Sequence, residues 1–159
     1  MRSFHFPGRS PVMGRHAMCA TSHPAASLAA VEVLKSGGNA MDAAITACAV
    51  LCVVEPAMTG IGGDCFAIVA KPGHAPIGLN GCGRAASGAT PEWFRGAGLS
   101  AIEMTSPHAV LVPGAIAGWA LALEQHGSIG LDRALRPAIG LARDGFVVTP
   151  RVGFDWARA

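Results

Sequence analysis

The stretch Ala40 to Val54 carries one charged side chain, Asp42, and is apolar on nearly every face of the helix it would form. A helix with no polar side has nothing to turn to water, so it must be buried all round and other elements must be built about it. Its limits are legible. Gly37-Gly38 stops what comes before, Asn39 is a good amino-terminal cap, and Glu55-Pro56 ends the run. The helix before it reads Ala25 to Lys35, with Leu28, Val31 and Leu34 as its apolar stripe, Ala29 and Val33 widening it, and Ser22 or His23 preceding a first turn that tolerates Pro24.

Such a core needs cover, and composition says that the chain has little charged surface with which to end it. Hydrophobic residues make up 51% and charged ones 14% of the 159 residues, with 21 glycines and no tyrosine. This describes close-packed helices of small residues, much of whose surface meets a partner subunit, the remainder of a longer chain, or a membrane. The membrane is the weakest of these, because the longest apolar stretch, Ala43 to Val54, is bounded by Asp42 and Glu55, and a span needs about twenty residues. Met1 to Ser10 carries Arg2, His5, Pro7 and Arg9 with no apolar segment behind it, which predicts no signal peptide and a cytoplasmic location. A net charge of +2 without a lysine or arginine run leaves no footprint for nucleic acid.

Further along, the glycine-rich loop Thr59 to Asp64 leads into Cys65 to Ala70, read as a buried strand, and a hairpin across Pro72-Gly73 returns through Pro76 to Asn80. Thr90-Pro91-Glu92 starts a helix bearing Trp93 and Phe94, Gly96 to Thr105 is a loop, and His108 to Val112 is apolar enough for a short strand. Ala115 to Gln125 is a helix bearing Trp119, closed by His126-Gly127. Leu131 to Arg143 is another, with Leu131, Leu135, Ile139 and Ala142 on one stripe and a kink or break expected near Arg136, because Pro137 falls inside it. Thr149-Pro150 opens a last helical turn that has hardly begun at Ala159, which reads as truncation.

Candidate chemistry is sparse. The five cysteines form no C-x-x-C pair and read as free thiols, with Cys48 and Cys52 on one helix face; the six histidines show no metal-ligand spacing, so neither metal nor cofactor is expected. Gly60-Ile61-Gly62-Gly63 precedes a strand, and no Lys-Ser/Thr follows, the reverse of a phosphate-binding loop; close backbone packing, or a backbone wall to another site, accounts for it better. Ser22 beside His23 and Ser106 near His108 make no nucleophile elbow. Arg84 differs: it lies in Gly81-Cys82-Gly83-Arg84-Ala85-Ala86-Ser87, where small neighbours leave a guanidinium room to hold a substrate carboxylate, or to form a salt bridge.

Read in order, Ala25-Ala26-Ser27, then Val33 to Ala44 with Gly37 to Ala44 the most specific block, Val54-Glu55-Pro56, Thr59 to Asp64 with Phe66, Ala89-Thr90-Pro91, Val112-Pro113-Gly114 with Gly118, and Pro137-Ala138-Ile139 through Gly145-Phe146 resemble the opening of the γ-glutamyltransferases. The resemblance runs from about residue 17 onward, with residues 1–16 as an amino-terminal extension. It implies the αββα sandwich of an N-terminal-nucleophile hydrolase, with this chain a helix-rich part of the large subunit carrying a few strands. It implies a self-cutting proenzyme whose freed terminal threonine is the nucleophile, lies downstream of Ala159, and uses its own α-amino group as base. The chain alone would then be inert, its partners being the small subunit of the same proenzyme and a small-molecule substrate; a homo-oligomer is compatible with it. In the family an arginine after this strand clamps the glutamyl carboxylate, and that position falls on Cys82, which cannot do so. Arg84, two residues on, would point the same way along an extended strand. With Asp64 also replacing a usual glycine, the segment resembles the amidohydrolase-like branch, whose members act on small amides such as oxamate. The rival expectation is a stand-alone, non-catalytic module that binds a partner through apolar surface.

Overall fold

The structure, a computed structural model, describes residues 12–158, so most of the extension, including the Met1 to Ser10 segment, and Ala159 lie outside the described residues. Within them the order is α1 (Pro24–Lys35), α2 (Ala40–Val54), β1 (Cys65–Val69), β2 (Ile77–Gly81), α3 (Pro91–Gly96), α4 (Ala115–His126), α5 (Leu131–Asp144) and α6 (Pro150–Trp156). The apolar helix is the hub: α2 packs on α1 and α5 and touches α4, while β1 and β2 lean on α4. The strands are antiparallel, with Cys65 opposite Gly81 and Val69 opposite Ile77, turning at Gly73 with φ +76°. A helical layer on a hairpin is consistent with part of a helix-and-sheet sandwich.

Local chemistry sets the helix starts. His23 caps α1, its Nδ1 accepting from the Ala25 N–H at 3.2 Å. At α2 the cap is reciprocal: Asn39 Oδ1 accepts from the Met41 and Asp42 N–H groups, and Asp42 Oδ2 accepts from the Asn39 N–H at 2.8 Å. Between the helices Gly37 takes φ +91°, and a Cβ on Gly38 would stand 2.6 Å from Val33 Cγ1.

Two expectations fail for one reason, the close approach of alanine-rich faces. In α1 the buried side is Ala26, Ala29 and Ala30, while Leu28 is 60% exposed and Val31 38%. In α5 the buried residues are Ala134 and Ala138, and Ile139 of the expected stripe is 56% exposed. Small side chains let the backbones of α1 and α5 come close to α2, which pushes the bulkier residues outward. The same packing explains why Pro137 does not break α5. Its missing N–H forfeits one bond, but Ala134 and Ala138 on either side of it are held within the core.

Two more expectations are corrected, one in the hairpin and one after α3. β1 is half-buried: Cys65, Ala67 and Val69 pack on the core, while Phe66 and Ile68 are 67% and 82% exposed, because helices cover one face of a two-stranded sheet and side chains alternate across it. His108 to Val112 is no strand. Ser106 Oγ accepts from the His108 N–H at 3.2 Å and Pro107 starts a single 3-10 turn, Pro107–Ala109, which takes up the first residues of the segment and leaves the Val112 N–H to make a lone bond to Arg84 O.

Candidate functional site

The glycine loop, the end of β2 and the start of α4 meet almost entirely through backbone. Gly63 O accepts from the Gly114 and Ala115 N–H groups at 3.0 and 2.9 Å, joining the loop to the first turn of α4. Asp64 Oδ1 accepts from the Gly83 N–H at 2.7 Å, joining it to the segment after β2. A Cβ on Gly83 would lie 1.9 Å from Val112 O, one on Gly114 2.4 Å from Gly81 O, and one on Gly118 3.2 Å from Gly81 Cα. Glycine is therefore required where α4 crosses the hairpin. It is not required by contact at Gly60, Gly62 or Gly63, where a Cβ would meet nothing within 4 Å and φ is not positive, so the close packing expected of that loop belongs to Gly81, Gly83, Gly114 and Gly118 instead.

This junction fixes the two candidate substrate residues. Cys82 follows the last residue of β2, its N–H donating to Asn80 Oδ1 at 2.9 Å. Its thiol is exposed, yet partial loss of solvent and then the Asp64 carboxylate push its pKa up, so it is a weak thiolate former. Arg84 lies beyond the paired part of the strand; its carbonyl accepts from the Val112 N–H at 3.0 Å, which locks the backbone, and its side chain is solvent-exposed. Among the described residues the ion pairs are made by Arg95, Arg136, Arg143 and Arg151, and the guanidinium of Arg84 joins none of them.

Beside Arg84 the chain forms a pocket of about 320 Å³ between Ala85 to Ala89 and Pro107 to Val110, with Trp93 and Phe94 of α3 as its aromatic wall. The rings of Trp93, Phe94 and His108 stand edge to face, with centroids 5.1 to 5.7 Å apart. This pocket is not legible in the sequence, since His108 comes from a segment distant from Trp93 and Phe94; the one local signal is the Trp93-Phe94 pair after Thr90-Pro91.

A second feature lies at the start of α2. Asp42, in the first turn of α2, is wholly buried. Besides capping α2 it accepts from the Ser128 and Ile129 N–H groups at 2.8 and 3.2 Å and from Ser128 Oγ at 2.5 Å, tying α2 to the α4–α5 connection. Burial alone would raise its pKa; the bonds from Ser128, Asn39 and Ile129 outweigh that and hold the carboxyl below its usual range.

The remaining candidates stay apart. Ser22 Oγ donates to Glu55 Oε2, and Ser106 Oγ serves as a cap, so neither is aligned with its neighbouring histidine. Cys48, Cys52 and Cys65 are free and half-buried, and burial raises all three. No three His, Cys, Asp or Glu converge on a metal position among the described residues.

A hub of alanine-packed helices, a glycine junction and an exposed arginine after the second strand are the surroundings in which comparison with other proteins becomes decisive. Residues 26–159 match the family described as gamma-glutamyltranspeptidase, and the chain belongs to that family of N-terminal-nucleophile hydrolases. An acylase proenzyme from a Pseudomonas strain is 36% identical over 151 residues, covering 89% of this chain and 27% of the relative. The oxamate amidohydrolase proenzyme of Klebsiella pneumoniae is 38% identical over 140 residues, covering 84% and 26%. The crystal structure of Helicobacter pylori gamma-glutamyltranspeptidase superposes with a TM-score of 0.84 at 31% identity, covering 94% of this chain and 44% of that one. The chain thus spans about a quarter of the length of the curated relatives it matches.

Proposed function

We propose that the chain is the scaffold and one substrate wall of an amide hydrolase or acyl transferase, made as a self-cutting proenzyme whose terminal threonine nucleophile lies outside it. Support comes from the family and from relatives named as proenzymes of an acylase and an oxamate amidohydrolase. The partner in this reading is the small subunit of the same proenzyme. The bare outer face of β1, with Phe66 and Ile68, and the apolar groove lined by Ile116, Trp119 and Ile139 are surfaces such a partner would cover.

The substrate in this reading is a carboxylate-bearing amide, either a γ-glutamyl compound or an oxamate-like one, and Arg84 holds its carboxylate. The observation that carries the assignment is the combination at Arg84 of a locked backbone and a guanidinium outside every ion pair of the described residues. Cys82, at the position where the resemblance puts an arginine, offers neither charge nor a ready thiolate. An Arg84→Ala substitution in the whole protein should raise KM for a carboxylate-bearing amide at least tenfold, about the worth of one charge-assisted hydrogen bond, with self-cleavage little slowed. An unchanged KM would remove Arg84 from the site.

A further inference from the structure

We propose that the pocket beside Arg84 is a specificity site for an uncharged aryl group carried on the acyl part of the substrate, next to the carboxylate. The proposal rests on the reading of Arg84 given above and extends it to the substrate's side chain. Three features converge. The pocket has about 320 Å³, several times the volume a glycyl-sized acyl group would fill, so the smallest amides leave it empty. Its lining side chains include neither an acid nor a lysine or arginine; the imidazole of His108 is the one titratable group. Its lining is aromatic at Trp93, still 49% exposed, and Phe94, and includes Ala85, Ala86 and Ala89, whose small side chains leave room for a ring.

Position ties the pocket to the anion site. Ala85 lines it and is bonded directly to Arg84, whose carbonyl is held by the Val112 N–H at 3.0 Å, so the segments forming the two sides are fastened together at the arginine end. In this proposal the ligand spans the two, with its carboxylate on Arg84 and its ring against Trp93 and Phe94.

The test is equilibrium binding of two free acids, glutarate and 3-phenylglutarate, to the whole self-cleaved protein by calorimetry. The phenyl compound should bind about tenfold or more tightly, the discrimination expected for a ring that gains a fitted apolar pocket. Ala86→Leu, which fills that room, should bring the ratio near one. Equal affinities for the wild-type protein, or a preference that survives in Ala86→Leu, would overturn the proposal; the wild-type comparison does not depend on any variant folding. Hydrolysis of the matching anilides on the same protein reports separately on the amidase reading. A phenyl preference in binding without amide turnover would sink that reading and leave the pocket assignment standing.

Discussion

Replacing Asp42 by alanine tests how the helical hub is held together. The side chain is fully buried and receives three backbone N–H groups, from Asn39, Ser128 and Ile129, and one hydroxyl, from Ser128. The hydroxyl can turn elsewhere; the three N–H groups cannot. At about 1 kcal/mol for each donor left without its partner, the low end because Asn39 and Ser128 border solvent, the loss is about 3 kcal/mol. With a urea slope near 2 kcal/mol/M, the midpoint should fall by about 1.5 M. Asp42→Asn should lose about half as much, since its Oδ1 can still accept from Ser128 and Ile129 while its amide group faces the Asn39 N–H donor to donor. Amide exchange at Ser128 and Ile129 should rise in both variants, which locates the damage at the α4–α5 connection. The pH dependence has a definite sign. A carboxyl whose folded pKa lies below its unfolded one stabilises the fold fully above the unfolded value and loses that contribution as pH falls through the folded one. The gap between wild type and Asp42→Asn should therefore be constant from about pH 6 to 8 and close below about pH 4. A midpoint shift under about 0.3 M for the alanine variant, or a gap that widens in acid, would refute the argument.

Two further outcomes follow from the glycine junction and the thiols. Gly83→Ala puts a Cβ 1.9 Å from a backbone oxygen and should cost about 2 kcal/mol or more, whereas Gly62→Ala, with open space and no positive φ, should stay within about 0.5 kcal/mol; thermal unfolding of the pair decides between them, and equal effects would contradict the contact geometry. Alkylation at mildly alkaline pH followed by peptide mapping should label Cys82 before Cys48 and Cys52, because exposure separates them while all three thiols are raised; simultaneous labelling would show that the helical core opens on the same timescale.

What could be read from the residues was what local chemistry decides. The Asn39 cap, the glycine stop before it, the extent of α2, the Thr90 and Thr149 caps and the hairpin at Gly73 all lie where residue type and spacing place them. What could not be read depends on partners distant in sequence. The choice of alanine faces over the Leu28 and Ile139 stripes is made by how closely α1 and α5 approach α2, and no single helix encodes that distance. The outward side of β1 follows from how many layers cover it, and Asp42 reveals itself only when Ser128, 86 residues away, folds against it. At the candidate site the sequence pointed to Arg84 and Cys82, but their setting, and the ring cluster beside them, come from the meeting of three segments.

The central claim, that this chain belongs to a self-cutting enzyme, is tested most directly by mass analysis of the whole protein after expression. The account predicts two chains that stay associated, the second beginning with threonine. A single uncut chain, or a second chain beginning with another residue, would contradict it.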